Sequence, residues 1–228
     1  MGKEVYLAGP EVFFSEAASI SQAQKLCCAL RGLKGLVPLD NEIPQTNSKQ
    51  ETAEAIVRGN LKMIQACDYV VANLSNFRGY KRHPCCDSGT AWECGYATAL
   101  QKPVLAYTSD IKSIPRIMRR FIGYRLVGKL PKALEFVTKY GLRFEDIQTP
   151  KFSRIIRLDP MRPSIQDANA FGAFCLGYAF GIGKNVAYII SDKRSLIEKY
   201  GPIDRNGVRF EDFDMPVNIM IGMNHKLE

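Results

Sequence analysis

Short apolar runs alternate with helix-spaced segments through the first half of the chain, and this alternation constrains the fold more than any other feature. Glu4 to Ala8 reads as a strand and ends at Gly9-Pro10. Glu16 to Leu33 carries apolar residues at Ile20, Ala23, Leu26, Cys27 and Leu30, a helical spacing. Gly35-Leu-Val-Pro-Leu39 is a second strand. Glu51 to Ala66 is a second helix, with Ala55, Ile56, Leu61 and Ile64 on its apolar side. Asp68-Tyr-Val-Val-Ala-Asn-Leu74, Ser88 to Gln101 and Pro103 to Tyr107 continue the pattern as strand, helix and strand. A βαβαβαβ order with short links implies parallel strands covered by helices. β-branched strand centres such as Val70-Val71 fit burial on both faces. The expected fold class is therefore α/β: an open parallel sheet of the flavodoxin or Rossmann kind, with helices on both faces.

The second half is less regular. Lys132 to Tyr140 reads as a helix and Ile155-Ile-Arg-Leu158 as a strand. An internal echo then appears. Gly95-Tyr-Ala-Thr-Ala-Leu-Gln-Lys-Pro-Val-Leu-Ala-Tyr-Thr-Ser-Asp110 resembles Gly177-Tyr-Ala-Phe-Gly-Ile-Gly-Lys-Asn-Val-Ala-Tyr-Ile-Ile-Ser-Asp192. Aligned on Gly-Tyr-Ala, Cys175 stands opposite Glu93 and Asn169 opposite Asp87. The reading is an inserted or partially duplicated second half, with a first unit over residues 1–140 and a partial repeat over residues 141–228.

Bulk properties exclude several classes. At 228 residues the chain suits one α/β domain, or one with a partial second. Its longest apolar run, Ala170 to Gly183, is glycine-rich and ends at Lys184, so it reads as a buried helix and not a membrane span. The N-terminus leads directly into a strand with no secretion signal. Met1-Gly2 begins like an acylation signal, but Tyr6 stands where Ser or Thr is needed. Seven irregularly spaced cysteines read as free thiols, and a cytoplasmic location is expected. His83-Pro-Cys85-Cys86 lacks the ligand spacing of a zinc site, so neither metal nor cofactor is expected. The net charge is +8, with Arg116, Arg119, Arg120, Arg125, Lys129 and Lys132 crowded together. No nucleic-acid motif accompanies that cluster, and a solvated face is the preferred reading.

The chemistry concentrates in Asp87-Ser-Gly-Thr-Ala-Trp-Glu93-Cys-Gly-Tyr-Ala97, directly after the third strand and its loop. In open α/β sheets ligands bind beyond the carboxyl ends of strands. Two carboxylates there suit glycosidic chemistry with retention, which needs an acid or base beside a carboxylate nucleophile. A place in the first turns of its helix would favour an ionised Glu93. Gly89 permits a tight backbone approach to a ligand. An N-cap role for Asp87 or Ser88, with Glu93 on a helix surface, is the plainer alternative.

Five motifs in order resemble the nucleoside 2-deoxyribosyltransferase family: Tyr6-Leu-Ala-Gly-Pro10, Val37-Pro-Leu-Asp-Asn41, Asp68 to Leu74 with Arg78-Gly79, Asp87 to Ala97, and Asp214-Met-Pro-Val-Asn218-Ile-Met220. The resemblance implies that Glu93 attacks C1′ of a 2′-deoxynucleoside and forms a covalent ester, which a second base resolves. It implies that Asp87 manages the proton of the base and that Tyr6 hydrogen-bonds the nucleophile. Asn218 would bind the sugar 5′-hydroxyl, with Met220 beside it and Asn60 near the sugar hydroxyls. Gly9, Asp68 and Trp92 join the expected substrate-binding set. Phe13, Phe14 and Phe77 are further candidates to stack on the base. Residues 111–191 would be an insertion relative to compact members, and the Lys132 to Tyr140 helix would replace a C-terminal helix. The implied partners are 2′-deoxynucleosides and free nucleobases, in a homo-oligomer, without nucleic acid or membrane. A nucleoside N-glycosidase and a non-catalytic nucleoside-derivative sensor are the competing readings.

Overall fold

The computed structural model describes residues 2–79, 83–143, 149–151, 154–159 and 168–225. Five parallel strands form the main sheet: β1 (Glu4–Ala8), β2 (Lys34–Leu36), β3 (Tyr69–Asn73), β4 (Val104–Thr108) and β5 (Tyr124–Val127). Their order is β2-β1-β3-β4-β5, which is the flavodoxin-type order with its switch point between β1 and β3. The helices between them are α1 (Ala17–Ala29), α2 (Lys49–Ala66) and α3 (Ser88–Ala99), and α4 (Leu130–Tyr140) follows β5. The remainder of the chain adds β6 (Ile155–Arg157), α5 (Ala170–Gly181), β7 (Ala187–Ile189), α6 (Leu196–Tyr200) and α7 (Ile219–Gly222). β6 and β7 pair in parallel as a separate two-stranded sheet.

Strand alternation assigns each side chain to a face. Val5, Leu7, Tyr69, Val71 and Leu105 pack with Leu130, Ala133, Leu134 and Val137 of α4 and Cys28 of α1. Tyr6, Ala8, Val70, Ala72 and Ala106 point to the opposite side, against residues of α2, α3, α5 and α7. A one-residue shift of β1 would move Tyr6 to the wrong face. That face is two helices deep. All residues of α3 from Ser88 to Thr98 are buried, because the sheet lies on one side of it and α5 on the other. A helix apolar all round is one buried all round.

Expectation and structure differ in three places. α1 is shorter than its apolar spacing suggests, and β2 stops before Pro38, which opens a 3-10 turn. β5 was not expected: its alternate residues Arg125 and Val127 are exposed at the sheet edge, which hides the strand among basic residues. It forms the edge of the main sheet beside β4, and α4 after it packs on the α1 side of that sheet. Two of the clustered arginines hold backbone carbonyls. Arg119 donates to the carbonyls of Ile114 at 2.9 Å and Ile111 at 2.7 Å, and Arg125 to that of Ile122, so they brace the loop before β5.

None of the seven cysteines forms a disulfide bond. No helix among the described residues is long and apolar enough to cross a membrane. Among those residues no cluster of three or more potential metal ligands occurs.

The described C-terminus is fastened by His225. Its Nε2 accepts from Trp92 Nε1 at 3.1 Å and its Nδ1 lies 3.2 Å from the Val186 carbonyl, which sets the neutral tautomer with the proton on Nδ1. Burial pushes the imidazole pKa down from 6.5 to about 4. An unfolded chain therefore binds a proton here that the folded chain does not, between pH 6.5 and about 4. His225→Gln should remove this contribution. Relative to the variant, wild type should lose up to about 3 kcal/mol of stability as pH falls through that window, read from thermal melts of both proteins.

Candidate active site

A cleft of about 380 Å³ opens beyond the carboxyl ends of β1 and β3, where the switch point of this strand order leaves a crevice. Its floor is the start of α3. Asp87 caps that helix: its Oδ2 accepts from Thr90 N at 2.7 Å and from Thr90 Oγ1 at 2.8 Å. Two turns of α3 then carry Glu93 into the same cleft. Tyr6, projecting from β1, donates its hydroxyl to Glu93 Oε1 at 2.6 Å. Tyr6 is fully buried, and burial together with the nearby Glu93 charge raises its pKa well above the usual tyrosine value, so the phenol keeps its proton.

The electrostatics of Glu93 reverse the expectation from the helix dipole. α3 begins at Ser88, so Glu93 lies past the first turn, where the dipole is felt. The residue is 5% exposed. Burial raises its carboxyl to about pKa 8; the Tyr6 hydrogen bond opposes this and Asp87 adds to it. Glu11 lies beyond the same strand ends. Burial raises its pKa, while Asn73 Nδ2 donates to its Oε1 at 2.7 Å and holds it in place. A carboxyl so strongly perturbed and lining a cleft makes Glu93 a candidate functional residue.

The opposite wall arrives from the far end of the chain. Asn218 is the N-cap of α7, with Oδ1 accepting from Met220 N at 2.9 Å. Its Nδ2 donates to Glu211 Oε1 at 3.0 Å, and Glu211 Oε2 accepts from Ile219 N at 3.0 Å. Both Asn218 and Met220 line the cleft with Glu93 of the same chain. Gly89 lets them approach: a Cβ there would lie 2.6–2.8 Å from the Asn218 amide. Arg78 anchors this wall. It is buried, pairs with buried Asp204 at 3.4 Å, donates to the Arg209 carbonyl, and lies over the rings of Phe210, Phe77 and Phe13 at 4.1, 4.5 and 5.0 Å.

Most of the residues anticipated from sequence converge here. Glu93, Asp87, Asn218, Met220, Asn60 and Gly9 line the cleft, and Tyr6 supports it from beneath. Asn60 is held by Asn41 Nδ2, which donates to its Oδ1 at 2.7 Å. Asp68 and Trp92 are not brought in. Asp68 lies at the amino end of β3, away from the ligand-binding end, and accepts from Glu4 N at 2.8 Å. Trp92 is wholly buried against Tyr96, Phe180 and His225, so no base can stack on it. Of the phenylalanines, Phe13 lines the cleft; Phe77 stacks behind it at 5.3 Å, and Phe14 packs edge-on to Phe77. Glu211, Phe210, Phe213, Arg209 and Asn41 also line the cleft. Only Asn41 had a sequence signal, as the last residue of Val37-Pro-Leu-Asp-Asn41. Residues 80–82, directly after Arg78-Gly79, lie outside the described residues.

A sequence model of the family described as nucleoside 2-deoxyribosyltransferase matches residues 5–151, well over half of the chain. The chain belongs to the nucleoside 2-deoxyribosyltransferase family. The matched stretch runs through β5 and α4. An uncharacterized protein of Schizosaccharomyces pombe is 33% identical over 119 residues, 51% of this chain and 55% of that protein, so the chain spans about half the length of this curated relative. Among solved structures, a 2-deoxyribosyltransferase from Bacillus psychrosaccharolyticus is similar at 21% identity and TM-score 0.47, covering 60% of this chain and 91% of that one. A 2-deoxyribosyltransferase from Leishmania mexicana is similar at 21% identity and TM-score 0.35, covering 96% and 85%. A CMP N-glycosidase from Clostridium botulinum is similar at 17% identity and TM-score 0.39, covering 60% and 100%.

Two measurements probe this arrangement. Carboxyl NMR of Glu93 should titrate near pH 8, and in Tyr6→Phe the midpoint should move higher, because the removed hydrogen bond favours the charged form. Gly89→Ala should leave the fold intact but displace the Asn218 amide, weakening substrate binding by about 10-fold or more.

Proposed function

We propose that the protein exchanges the base of 2′-deoxyribonucleosides through a covalent deoxyribosyl ester on Glu93. One observation carries this reading: a buried Glu93, held by the Tyr6 hydroxyl at 2.6 Å, shares a cleft with a second carboxylate, Asp87, and with the Asn218 amide. Family membership supports the same chemistry.

The steps follow from the positions. The Glu93 carboxylate attacks C1′, and the C1′–N bond breaks with its electron pair passing to the base. Asp87, nearest the start of α3, supplies a proton to the departing base. The sugar is then an ester of Glu93. A nitrogen of a second base attacks C1′ from the vacated side and gives its proton to Asp87. The C–O bond breaks and the carboxylate is regenerated. Two inversions give net retention, the outcome of a double displacement. Tyr6 steadies the carboxylate in both states. Asn218 offers an amide to the sugar 5′-hydroxyl, with Asn60 and Met220 along the sugar wall. The apolar surface of Val12, Phe13, Ile43 and Ile56 supplies a seat for a flat base.

The high pKa of Glu93 sets the pH dependence. Attack needs Glu93 ionised and Asp87 protonated, so kcat/KM should rise with pH towards about pH 8 and fall again where Asp87 gives up its proton.

The decisive assay supplies a 2′-deoxynucleoside and a different free base to wild type and to Glu93→Ala. Wild type should form the exchanged nucleoside, and the variant should fall by at least about 10³-fold. Release of free deoxyribose without exchange would identify a hydrolase instead. No turnover with any pair, or full activity in Glu93→Ala, contradicts the proposal.

A further inference from the structure

We propose that the second half of the chain is a degenerate copy of the β3-α3-β4 unit acting as a built-in partner, so that one chain completes its own cleft. The evidence is a reciprocity of contacts. At Gly95 a Cβ would lie 2.0 Å from the carbonyl oxygen of Phe174. At Gly177 it would lie 2.0 Å from the carbonyl oxygen of Trp92. Gly95 and Gly177 are counterparts in the sequence echo, and so are Trp92 and Phe174, at the same offset. Contact of i with j matched by contact of j with i is the signature of an isologous two-fold interface. Here it lies within one chain.

The correspondence extends through the unit. Leu74 N donates to the Tyr107 carbonyl at 2.9 Å, and Leu158 N to that of Ile189 at 2.8 Å. Asp87 caps α3 through Thr90 N, and Asn169 caps α5 through Gly172 N at 2.6 Å. After each helix a residue takes positive φ, Gln101 at 57° and Gly183 at 69°. Lys102 N then donates to Ala97 O at 2.9 Å, and Lys184 N to Ala179 O at 2.8 Å. Strands, cap, helix and exit turn therefore repeat in order.

What does not repeat is the chemistry. Cys175 replaces Glu93, Asn169 replaces Asp87, and β6 and β7 have no described neighbour equivalent to β1 to supply a tyrosine. The copy keeps neither carboxylate at these two positions. It covers the outer face of α3, and the segment after it crosses to the first unit's cleft. That segment is pinned at Arg78 through Asp204 and the Arg209 carbonyl, and it delivers Glu211, Asn218 and Met220. That wall is thereby supplied in cis.

The test uses the exchange reaction, so it rests on the function proposed above. Glu93→Ala and Asn218→Ala are made singly and also co-expressed and purified together as a random mixture. A cleft built within one chain leaves the mixture no more active than the two variants apart. Recovery toward roughly a quarter of wild-type activity, the share of restored sites in randomly mixed pairs, overturns the proposal. Asn218→Ala with wild-type activity also overturns it, since the delivered wall would then be dispensable. A wild type that exchanges no base counts against the reaction and not against the copy. In that case the melting temperature over a 100-fold range of protein concentration decides: a constant value supports a self-sufficient chain, and a rise with concentration overturns it.

Discussion

The close contact of α3 with α5 is the constraint on which the rest of the structure depends. Two glycines facing two carbonyls bring the helix backbones together, and no side chain could be tolerated at either place. α3 is then enclosed between the sheet and α5, and it is buried from Ser88 to Thr98. A carboxylate on such a helix loses its hydration, which is why Glu93 reaches a pKa of about 8 and why it needs Tyr6. Packing at the back of the helix thus sets the proton affinity at its front.

The second constraint is electrostatic. The Arg78–Asp204 pair is buried on both sides, where breaking one partner is costly because the other is left as an uncompensated charge. Three aromatic rings around the guanidinium supply cation–π contacts in place of water. This pair fixes the stretch that ends at Glu211, and Glu211 fixes the Asn218 amide from below. The cleft combines a rigid floor, made by a strand end and a buried helix, with a wall tethered at one arginine.

The first half of the fold was legible because parallel strands buried on both faces leave continuous apolar runs, as in Tyr69–Asn73, and the helices between them carry a clear period. β5 escaped because an edge strand with Arg125 outward does not look apolar. The site was legible where a residue's role depends on local sequence. Asp87 is a helix cap, Gly9 follows a strand, and Glu93 follows the cap. It was not legible where packing decides. Trp92 sits one residue before Glu93 but faces α5 and His225, a direction set by helix phase. Asp68 belongs to a recognisable motif yet lies at the wrong end of its strand. Glu211 and Phe210 have no signal of their own, because only the Arg78 anchor brings them to the cleft.

In the proposed function Glu93 bonds covalently to the sugar. Its most direct test is mass spectrometry of the protein quenched in acid during turnover of a 2′-deoxynucleoside with no second base. The account predicts one added deoxyribosyl group, on the peptide that contains Glu93, released when a base is supplied. Turnover with no such adduct, or an adduct on another residue, would contradict it.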